Sequence, residues 1–502
     1  MITTMRRADR APQRRALLRF RPASWLPPDR RSRWLITASF VDSVGTGLFI
    51  AGSALFFTKV VGLSTEQIGI GLTLSGIAGL LGTVPIGRIA DRIGGKPALV
   101  GLYVWRGVWF AVYPFVHEAL TFYVIAFLVG VAEWSGPPIV QSVVGSFAER
   151  EDRVRTMAAI GSVRNVGFTI GALLATLALA SNSSVAFSGL VFADAATFLG
   201  AAFLLSKLPI GNRPSNDVAM DTTKDTTNTK DATRVRDPVF LSLTALNGVL
   251  YLHSILLTVG LPLWISTQTT APLPLIGVVV VINTIMVIVL QVPLSKGVSG
   301  IRPAARRQLW SSWGLAVCCI LIALTHSAGN VTATALLIVA TVAMTIGEIW
   351  QSIGAWGISY ALAPENHAAS YLSAYHLGLT ASSIVGPALI TIGVIRYGVV
   401  GWLALGTVFL LAGFGVLLIA RRSRPVNQDD TATGWSAVSR HKNGRHRDRG
   451  IEADAVAHWS RPDGAAIRHR RSSPRHARAR GRDRSTGRAH RRSGRRVDPV
   501  PG

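Results

Sequence analysis

Long apolar segments recur along the chain between Trp34 and Ala420, separated by short polar breaks. Each is close to or longer than the roughly 20 residues that one helix needs to cross a bilayer. The segments lack the charged outer face that a surface helix of a soluble protein carries. The pattern therefore predicts an all-α polytopic membrane protein. Its twelve predicted transmembrane helices cover approximately residues 34–58, 68–90, 98–117, 122–145, 157–180, 185–206, 239–265, 274–295, 307–325, 331–357, 369–393 and 398–420.

One polar stretch breaks this regularity and divides the helices into six and six. Residues 207–238 include a segment rich in Thr, Asp and Lys and poor in aromatic residues, which predicts a flexible cytoplasmic linker. The predicted domains are an N-terminal six-helix bundle, 34–206, and a C-terminal six-helix bundle, 239–420. The basic segments 1–33 and 421–502 lack apolar periodicity, so we predict that both are disordered.

Weak self-similarity relates the two halves, as is expected of many transporters. Residues 84–87, Val-Pro-Ile-Gly, correspond to residues 292–295, Val-Pro-Leu-Ser, at the ends of the second and eighth predicted helices. Glu133 in the fourth helix corresponds to Glu348 in the tenth. Because these matches occur in the same order on equivalent helices, they predict two pseudo-symmetric bundles.

The net charge of +26 suggests nucleic-acid binding until the charges are located along the chain. Residues 1–33 contain ten Arg and two Asp, a net +8, and residues 421–502 contain 22 Arg or Lys and eight Asp or Glu, a net +14. This leaves +4 of the +26 for the membrane body. We therefore expect no specific nucleic-acid partner. The basic ends are expected to contact anionic lipids of the bilayer, and the tail is assigned no other function.

Lys and Arg in alternate short loops predict the orientation of the helices. The loops after helices 2, 4 and 8 hold most of them, and the loops after odd-numbered helices hold few, with Lys59 and Arg396 as exceptions. Both termini are therefore predicted to be cytoplasmic in a multi-pass protein of the cell (inner) membrane. The basic loop residues are Arg88, Arg92, Lys96, Arg150, Arg153, Arg155, Lys296, Arg302, Arg306 and Arg307.

The loop between the second and third helices has a distinctive sequence. It contains Gly87, then Asp91 and Arg92, then Gly94 and Lys96. A glycine permits a close approach of helices, and another permits a tight reversal of the chain. A carboxylate at this place suits either a helix N-terminus or an arginine across the interface between the halves.

This loop resembles the signature of the major facilitator superfamily, and the resemblance extends over residues 34–420. It implies two bundles that rock around a central cavity, with Asp91 and Arg92 stabilising the outward-facing state. The sequence departs from the family pattern in several places. The first basic residue of the closing pair is Gly95, the copy in the second half lacks the Asp, and the fourth helix lacks the Arg of many proton-coupled members. The fifth helix also lacks the Gly-Pro pair of drug antiporters.

Six ionisable residues lie inside predicted membrane helices, where a charge is costly and usually lines a cavity or has a partner. Helices 1 and 5 are neighbours in the resembled fold, so we expect an ion pair between Asp42 and Arg164. Glu133 and Glu348 border the cavity of that fold, and each could exchange protons, bind a cationic substrate or serve only the structure. The six residues are Asp42, Arg106, Glu133, Arg164, Asp194 and Glu348.

The remaining polar positions in the helices have weaker interpretations. Asp194 is interpreted as structural, and Arg106 is expected to have an acidic partner on a neighbouring helix. Cys318 and Cys319 are adjacent in an apolar run and are interpreted as small buried hydrophobes. Further candidates for cavity contacts are His253, Asn247, Gln291, Gln351, Trp134, Trp350 and His376.

These features favour a monomeric secondary transporter of a small molecule that works by alternating access. Proton-coupled export is the leading hypothesis. The alternatives are an uptake permease or uniporter for a metabolite, and a membrane receptor or scaffold that has lost transport. No nucleotide-binding loop, catalytic constellation or metal-ligand cluster stands out in the sequence. We therefore expect no enzyme activity, no cofactor and no metal.

Overall fold

The computed structural model describes residues 29–180, 183–209 and 237–422. Nearly all of the expected N-terminal segment, most of the expected linker and the expected tail from residue 423 onward lie outside the described residues. The described residues form helices and no strands.

Twelve helices, α1 to α12, account for most of the described residues. Short π or 3-10 turns follow several of them, and a π turn interrupts α7 at Leu256–Gly260. The helices are Arg30–Leu55, Thr65–Ile93, Gly95–Val112, Ala119–Phe147, Arg150–Ala180, Ser184–Ser206, Pro238–Gln268, Leu275–Leu294, Ile301–Leu324, Asn330–Leu362, Ala368–Ala388 and Gly398–Arg422.

Eleven continuous helical stretches of the described chain are long and apolar enough to cross a membrane. The last of these, Ala368–Arg422, contains 55 residues, which at about 1.5 Å per residue is far longer than the roughly 30 Å of a hydrocarbon core. The chain reverses within it at Gly398, which has a φ of 56°. The stretch therefore comprises two membrane-length helices, α11 and α12, which brings the membrane-length helices of the described chain to twelve.

The predicted and observed helix bounds differ most where charged residues lie at the start of a helix. Helix α5 begins at Arg150 instead of residue 157, and α9 begins at Ile301 instead of residue 307. The additional seven residues of α5 include Glu151 and Asp152, which stabilise a helix N-terminus. Both helices therefore extend beyond their apolar segments.

The pairing of helices repeats between the two halves. In the first half, α1 packs against α5 and α6, α2 against α4, and α3 against α4 and α6. In the second half, α7 packs against α11 and α12, α8 against α10, and α9 against α10 and α12. Adding six to each helix number converts the first set into the second, so the structure contains the two pseudo-symmetric six-helix bundles that the sequence predicted.

Glycines allow the equivalent helix pairs α1–α5 and α7–α11 to approach closely. A Cβ at Gly171 of α5 would collide with the carbonyl oxygen of Val44 in α1. In the second half, a Cβ at Gly378 of α11 would collide with the carbonyl oxygen of Thr244 in α7. In a bilayer such small residues let backbones pack tightly, which replaces the hydrophobic driving force that is missing there.

The outer surface of the helices is apolar, as contact with lipid requires. Leu72, Leu177, Ile285 and Leu411 are each more than half exposed. Inside the bundle, by contrast, Cys318 and Cys319 are fully buried and unbridged, which confirms the interpretation of these residues as small hydrophobes.

We expect leucine in place of Gly171 to destabilise the protein, because its side chain has no room between α1 and α5. Overpacking a tight core typically costs about 1–3 kcal/mol. The expected result is a lower midpoint of thermal unfolding for the purified protein in detergent. Gly101→Leu is the matched control, since a Cβ at Gly101 meets no atom within 4 Å. Equal unfolding midpoints for the two variants would contradict the close approach.

Candidate functional site

The loop between α2 and α3 joins the two halves of the molecule through one carboxylate. Asp91, in the last turn of α2, accepts hydrogen bonds from the backbone N–H groups of Ala369 and Ser370 at 2.9 and 3.0 Å, and from the Ser370 hydroxyl at 2.5 Å. These groups lie in the first turn of α11, where unpaired N–H groups and the helix dipole favour an anion. The sequence left open whether Asp91 faces a helix N-terminus or an arginine of the other half, and in the structure it faces the helix N-terminus.

The other residues of the loop signature have distinct environments. A Cβ at Gly87 would lie 2.8 Å from the α11 backbone, so only glycine permits this approach. Gly94 has a φ of 96° and forms the reversal between α2 and α3. The Lys96 ammonium donates a hydrogen bond of 2.8 Å to a backbone carbonyl just after α6. The Arg92 side chain is exposed.

Further hydrogen bonds join the halves at the end of the bundle that carries the loop 87–96, which we call the signature end. Gln141 of α4 donates a hydrogen bond of 2.7 Å from its side-chain amide to the Ser359 hydroxyl. The Tyr360 hydroxyl donates one of 2.7 Å to the Gln141 backbone carbonyl. Because these bonds link α4 to α10, the two halves are in direct contact at this end.

A buried cation joins acidic side chains from two other helices of the first half. Arg106 of α3 lies 3.1 Å from the carboxylate of Asp42 in α1 and 2.5 Å from that of Glu133 in α4. The Arg106 and Asp42 side chains are 9% and 3% exposed, whereas that of Glu133 is 41% exposed. This confirms the expectation of an acidic partner for Arg106. Of the pair, Glu133 is the carboxylate that solvent can reach.

A third carboxylate belongs to the same group. Asp194 of α6 is fully buried and close enough to Arg106 and Asp42 to interact electrostatically with both. One of its oxygens accepts a hydrogen bond from the Thr197 hydroxyl, and the other has no hydrogen-bond partner among the described residues. The face of the Phe198 ring lies 3.9 Å from the Arg106 guanidinium carbon. Four helices therefore contribute side chains to one buried charge cluster.

The prediction that Asp42 forms an ion pair with Arg164 is wrong, because the cation that pairs with Asp42 is a different arginine. Asp42 pairs with Arg106, and no salt bridge in the described part of the chain includes Arg164. The reason is that the face of α3 that carries Arg106 lies towards Asp42 on α1. The sequence does not reveal which faces of separate helices meet. Arg164 still lies beside the cluster, because it lines a small cavity together with Asp42 and Glu133.

Glu348 has a separate environment in the second half. Its carboxylate accepts a hydrogen bond of 2.6 Å from the side-chain amide of Asn283 in α8, which also bonds Thr345. It interacts electrostatically with Tyr251 and His253 of α7. The structure therefore places the pseudo-symmetric pair Glu133 and Glu348 on equivalent helices with different partners, an arginine for the first and an amide for the second.

A central cavity of about 230 Å³ lies between the two halves. Arg164 lies in its wall on the side of the first half, and Asn247 and Gln351 lie in its wall on the side of the second. The cavity shares Pro137, Val140 and Arg164 with the small cavity beside the charge cluster, so the two spaces adjoin.

Polar and aromatic residues that the sequence did not single out complete the cavity wall. Gln141, Tyr251, Trp356 and Tyr375 all line it. Gln141 is a lone amide in the apolar stretch of α4. The criterion that identifies charged residues inside apolar membrane helices would also identify this amide. Among the candidates with weaker interpretations, Asn247, Gln351 and His376 line the cavity.

Twelve membrane-length helices in two pseudo-symmetric bundles, with a cavity between the bundles, define a multi-pass membrane transporter. The family model of the Major Facilitator Superfamily matches residues 35–387, well over half of the chain. The chain belongs to that superfamily. Comparison with curated proteins gives no match.

Solved structures of similar fold support the architecture. A bacterial homologue of the iron transporter ferroportin in an outward-facing state has a TM-score of 0.60 at 14% identity, covering 78% of this chain and 99% of its own. The E. coli fucose:proton symporter has a TM-score of 0.59 at 14% identity, and the match covers 78% of this chain and 98% of the symporter. The proton:xylose symporter has a TM-score of 0.56 at 14% identity, and the match covers 78% of this chain and 94% of the symporter. At these identities the likeness establishes the fold.

We expect Asp91→Asn to loosen the contact between the halves at the signature end, because a neutral amide binds the α11 N-terminus more weakly. Hydrogen bonds to a charged group contribute about 1.5–3 kcal/mol, and 1.4 kcal/mol is about tenfold in a population. A cysteine at Ser373 serves as reporter, because Ser373 is fully buried against Gly87 and its hydroxyl has no hydrogen-bond partner among the described residues. Its labelling by a membrane-impermeant maleimide should become about tenfold faster in Asp91→Asn.

The control for this measurement is Glu118→Gln, the same chemical change at an exposed helix end where the carboxylate makes no capping hydrogen bond. Cys318 and Cys319 are buried and should give little background labelling. Unchanged labelling in Asp91→Asn would contradict the role of this carboxylate in holding the halves together.

We expect Arg106→Gln to destabilise the protein strongly, because it leaves buried carboxylates without their cation. Breaking a buried ion pair by removing one partner typically costs about 3–5 kcal/mol. Adding Asp42→Asn should recover part of the loss in thermal stability, since one uncompensated charge is removed. Arg396→Gln, at an exposed loop position, is the control and should leave stability unchanged. A double variant no more stable than Arg106→Gln would contradict the pairing.

Proposed function

We propose that this chain is a secondary active transporter that moves a small molecule by alternating access, with protons as the coupling ion and export as its direction. The observation that carries the proposal is the central cavity between two halves that are hydrogen-bonded to each other at the signature end. For the cavity to open at that end, the bonds of Asp91 and Gln141 must break. They are few and polar, as a reversible contact requires.

The charge cluster supports proton coupling. Glu133 combines a direct contact with Arg106 and an exposed fraction of 41%, so a proton can reach it from the small cavity. Protonation of Glu133 would remove one partner of Arg106, and the guanidinium would then depend on Asp42 and on the nearby Asp194. A change of partner in the middle of α3 and α4 is a local event that can favour one arrangement of helices over another.

Glu348 is the proposed second participant. It is half-buried and bonded to a neutral amide rather than to a cation. Because this partner is neutral, protonation of Glu348 would break no ion pair in the described part of the chain. Glu133 and Glu348 would thus respond to protons in different ways.

The proposed location is the cell (inner) membrane with the signature end in the cytoplasm. The basic residues of the loops at this end support the orientation, because Lys and Arg in short loops favour the cytoplasmic side. We propose that the protein acts as a monomer and that Arg92, exposed at this end, contacts anionic lipid headgroups or the second half during the cycle.

We expect Glu133→Gln to abolish stimulation of transport by a pH gradient, because the amide cannot take up a proton. The measurement is uptake of radiolabelled organic acids, amines and sugars by proteoliposomes of known orientation, with and without an imposed gradient. Wild type should accumulate at least one compound several-fold faster with the gradient, and Glu118→Gln should behave as wild type. Gradient-independent transport in wild type would contradict proton coupling, and no transport of any compound would favour a receptor or scaffold.

A further inference from the structure

One cation in the wall of the central cavity forms no salt bridge in the described part of the chain. Arg164 is half-buried on α5, midway along the helix, and no salt bridge there includes it. Its side chain packs near the ring of Phe168 on its own helix, 5.6 Å from the ring centre. A guanidinium at membrane depth is costly, so it usually has a partner or marks a binding site.

The carboxylates nearest to Arg164 are already engaged. Asp42 and Glu133 line the small cavity on the other side of Arg164, and both contact Arg106. None of the described residues that line the central cavity is an Asp or a Glu. The central cavity therefore presents a positive charge without a negative one.

Two buried hydrogen-bond donors on the second half lie in the same cavity wall. Asn247 is 1% exposed, and its side-chain oxygen accepts hydrogen bonds from Gln351 at 2.9 Å and Gln308 at 3.1 Å. This arrangement fixes the amide orientation and leaves its amino group with no hydrogen-bond partner among the described residues. The Tyr375 hydroxyl, in a side chain 2% exposed, also has none there. Buried polar groups left in this way are costly unless water or a ligand binds them.

We infer that the central cavity is a binding site for a small organic carboxylate, with its negative charge on Arg164 and its oxygens within reach of the Asn247 amino group and the Tyr375 hydroxyl. The inference rests on the proposed transport function, since it names the substrate class of the same cavity. All three groups donate hydrogen bonds, so the ligand must supply acceptors. One guanidinium balances one negative charge, which favours a monocarboxylate over a doubly charged phosphate ester.

The size and walls of the cavity restrict the ligand further. Its volume of about 230 Å³ lies below the roughly 300–1,000 Å³ of pockets for drug-sized molecules. Trp356 and Tyr251 supply aromatic surface for an apolar part of the ligand. A compact acid with one carboxylate and a small apolar body fits these limits, and a bulky cationic drug does not.

The test compares carboxylates with their neutral amides on the purified full-length protein in detergent. The pairs are benzoate and benzamide, lactate and lactamide, and nicotinate and nicotinamide, with benzylammonium as the cation and phenyl phosphate as the dianion. Binding is read from the rise in the thermal unfolding midpoint on titration, because a ligand that binds only the folded state stabilises it. At least one carboxylate should bind about tenfold or more tightly than its amide and than benzylammonium.

Three variants test the residues. Arg164→Gln should weaken binding of the best carboxylate about tenfold or more, and Tyr375→Phe should weaken it several-fold. Asn247→Asp keeps the oxygen that Gln351 and Gln308 bond, replaces the amino group by a negative charge, and should shift the preference from the carboxylate toward benzylammonium. Arg396→Gln, at an exposed position, should bind as wild type.

Several outcomes would overturn the inference. They are equal binding of carboxylates and amides by wild type, tighter binding of phenyl phosphate than of benzoate, and undiminished carboxylate binding in Arg164→Gln and Tyr375→Phe. Because the assay needs no gradient and no movement across a membrane, it is separate from the proposed function. Carboxylate binding without transport would contradict the transport proposal alone, and transport of a different class of compound would contradict this inference alone.

Discussion

A guanidinium in the interior of a bilayer is costly unless it has a partner or lines a cavity, and the first half is organised around this constraint. Arg106 on α3 receives Asp42 from α1 and Glu133 from α4, with Asp194 of α6 nearby. The side chains come from four helices, so the cluster fixes how those helices face one another. It also leaves Arg164 as the charge that faces the central cavity, because the acids that could have paired with it are held by Arg106.

The two halves share an architecture but not a set of interactions. The glycine crossings of α1 with α5 and of α7 with α11 are equivalent, and so are the pairings of the remaining helices. The contact between the halves is unequal. Asp91 of α2 accepts two hydrogen bonds from backbone N–H groups of α11 and one from the Ser370 hydroxyl, whereas Ser162 of α5 and Gln291 of α8 are 3.5 Å apart.

The sequence predicted what depends on local pattern. The lengths of the apolar segments predicted the membrane helices, and the short matches around Pro85 and Pro293 predicted the repeat. Both predictions succeeded because each of these properties lies within a single segment of the chain. It could not predict which faces of distant helices meet. The partner of Asp91 lies 278 residues away at the start of α11, and the cation of Asp42 comes from α3 instead of α5. The same limit applies to Asn247 and Tyr375. That their hydrogen-bond donors have no partner among the described residues can be recognised only when the neighbouring residues in the structure are known.

The central claim is that the halves separate at the signature end during a transport cycle. The most direct measurement is the distance between spin labels at Ile93 and Asn366, two exposed positions on either side of that end, with Cys318 and Cys319 replaced, in liposomes. The result we expect is two populations of distances whose ratio changes with pH and with benzoate. A single short distance that is the same at every pH and with every ligand would contradict alternating access.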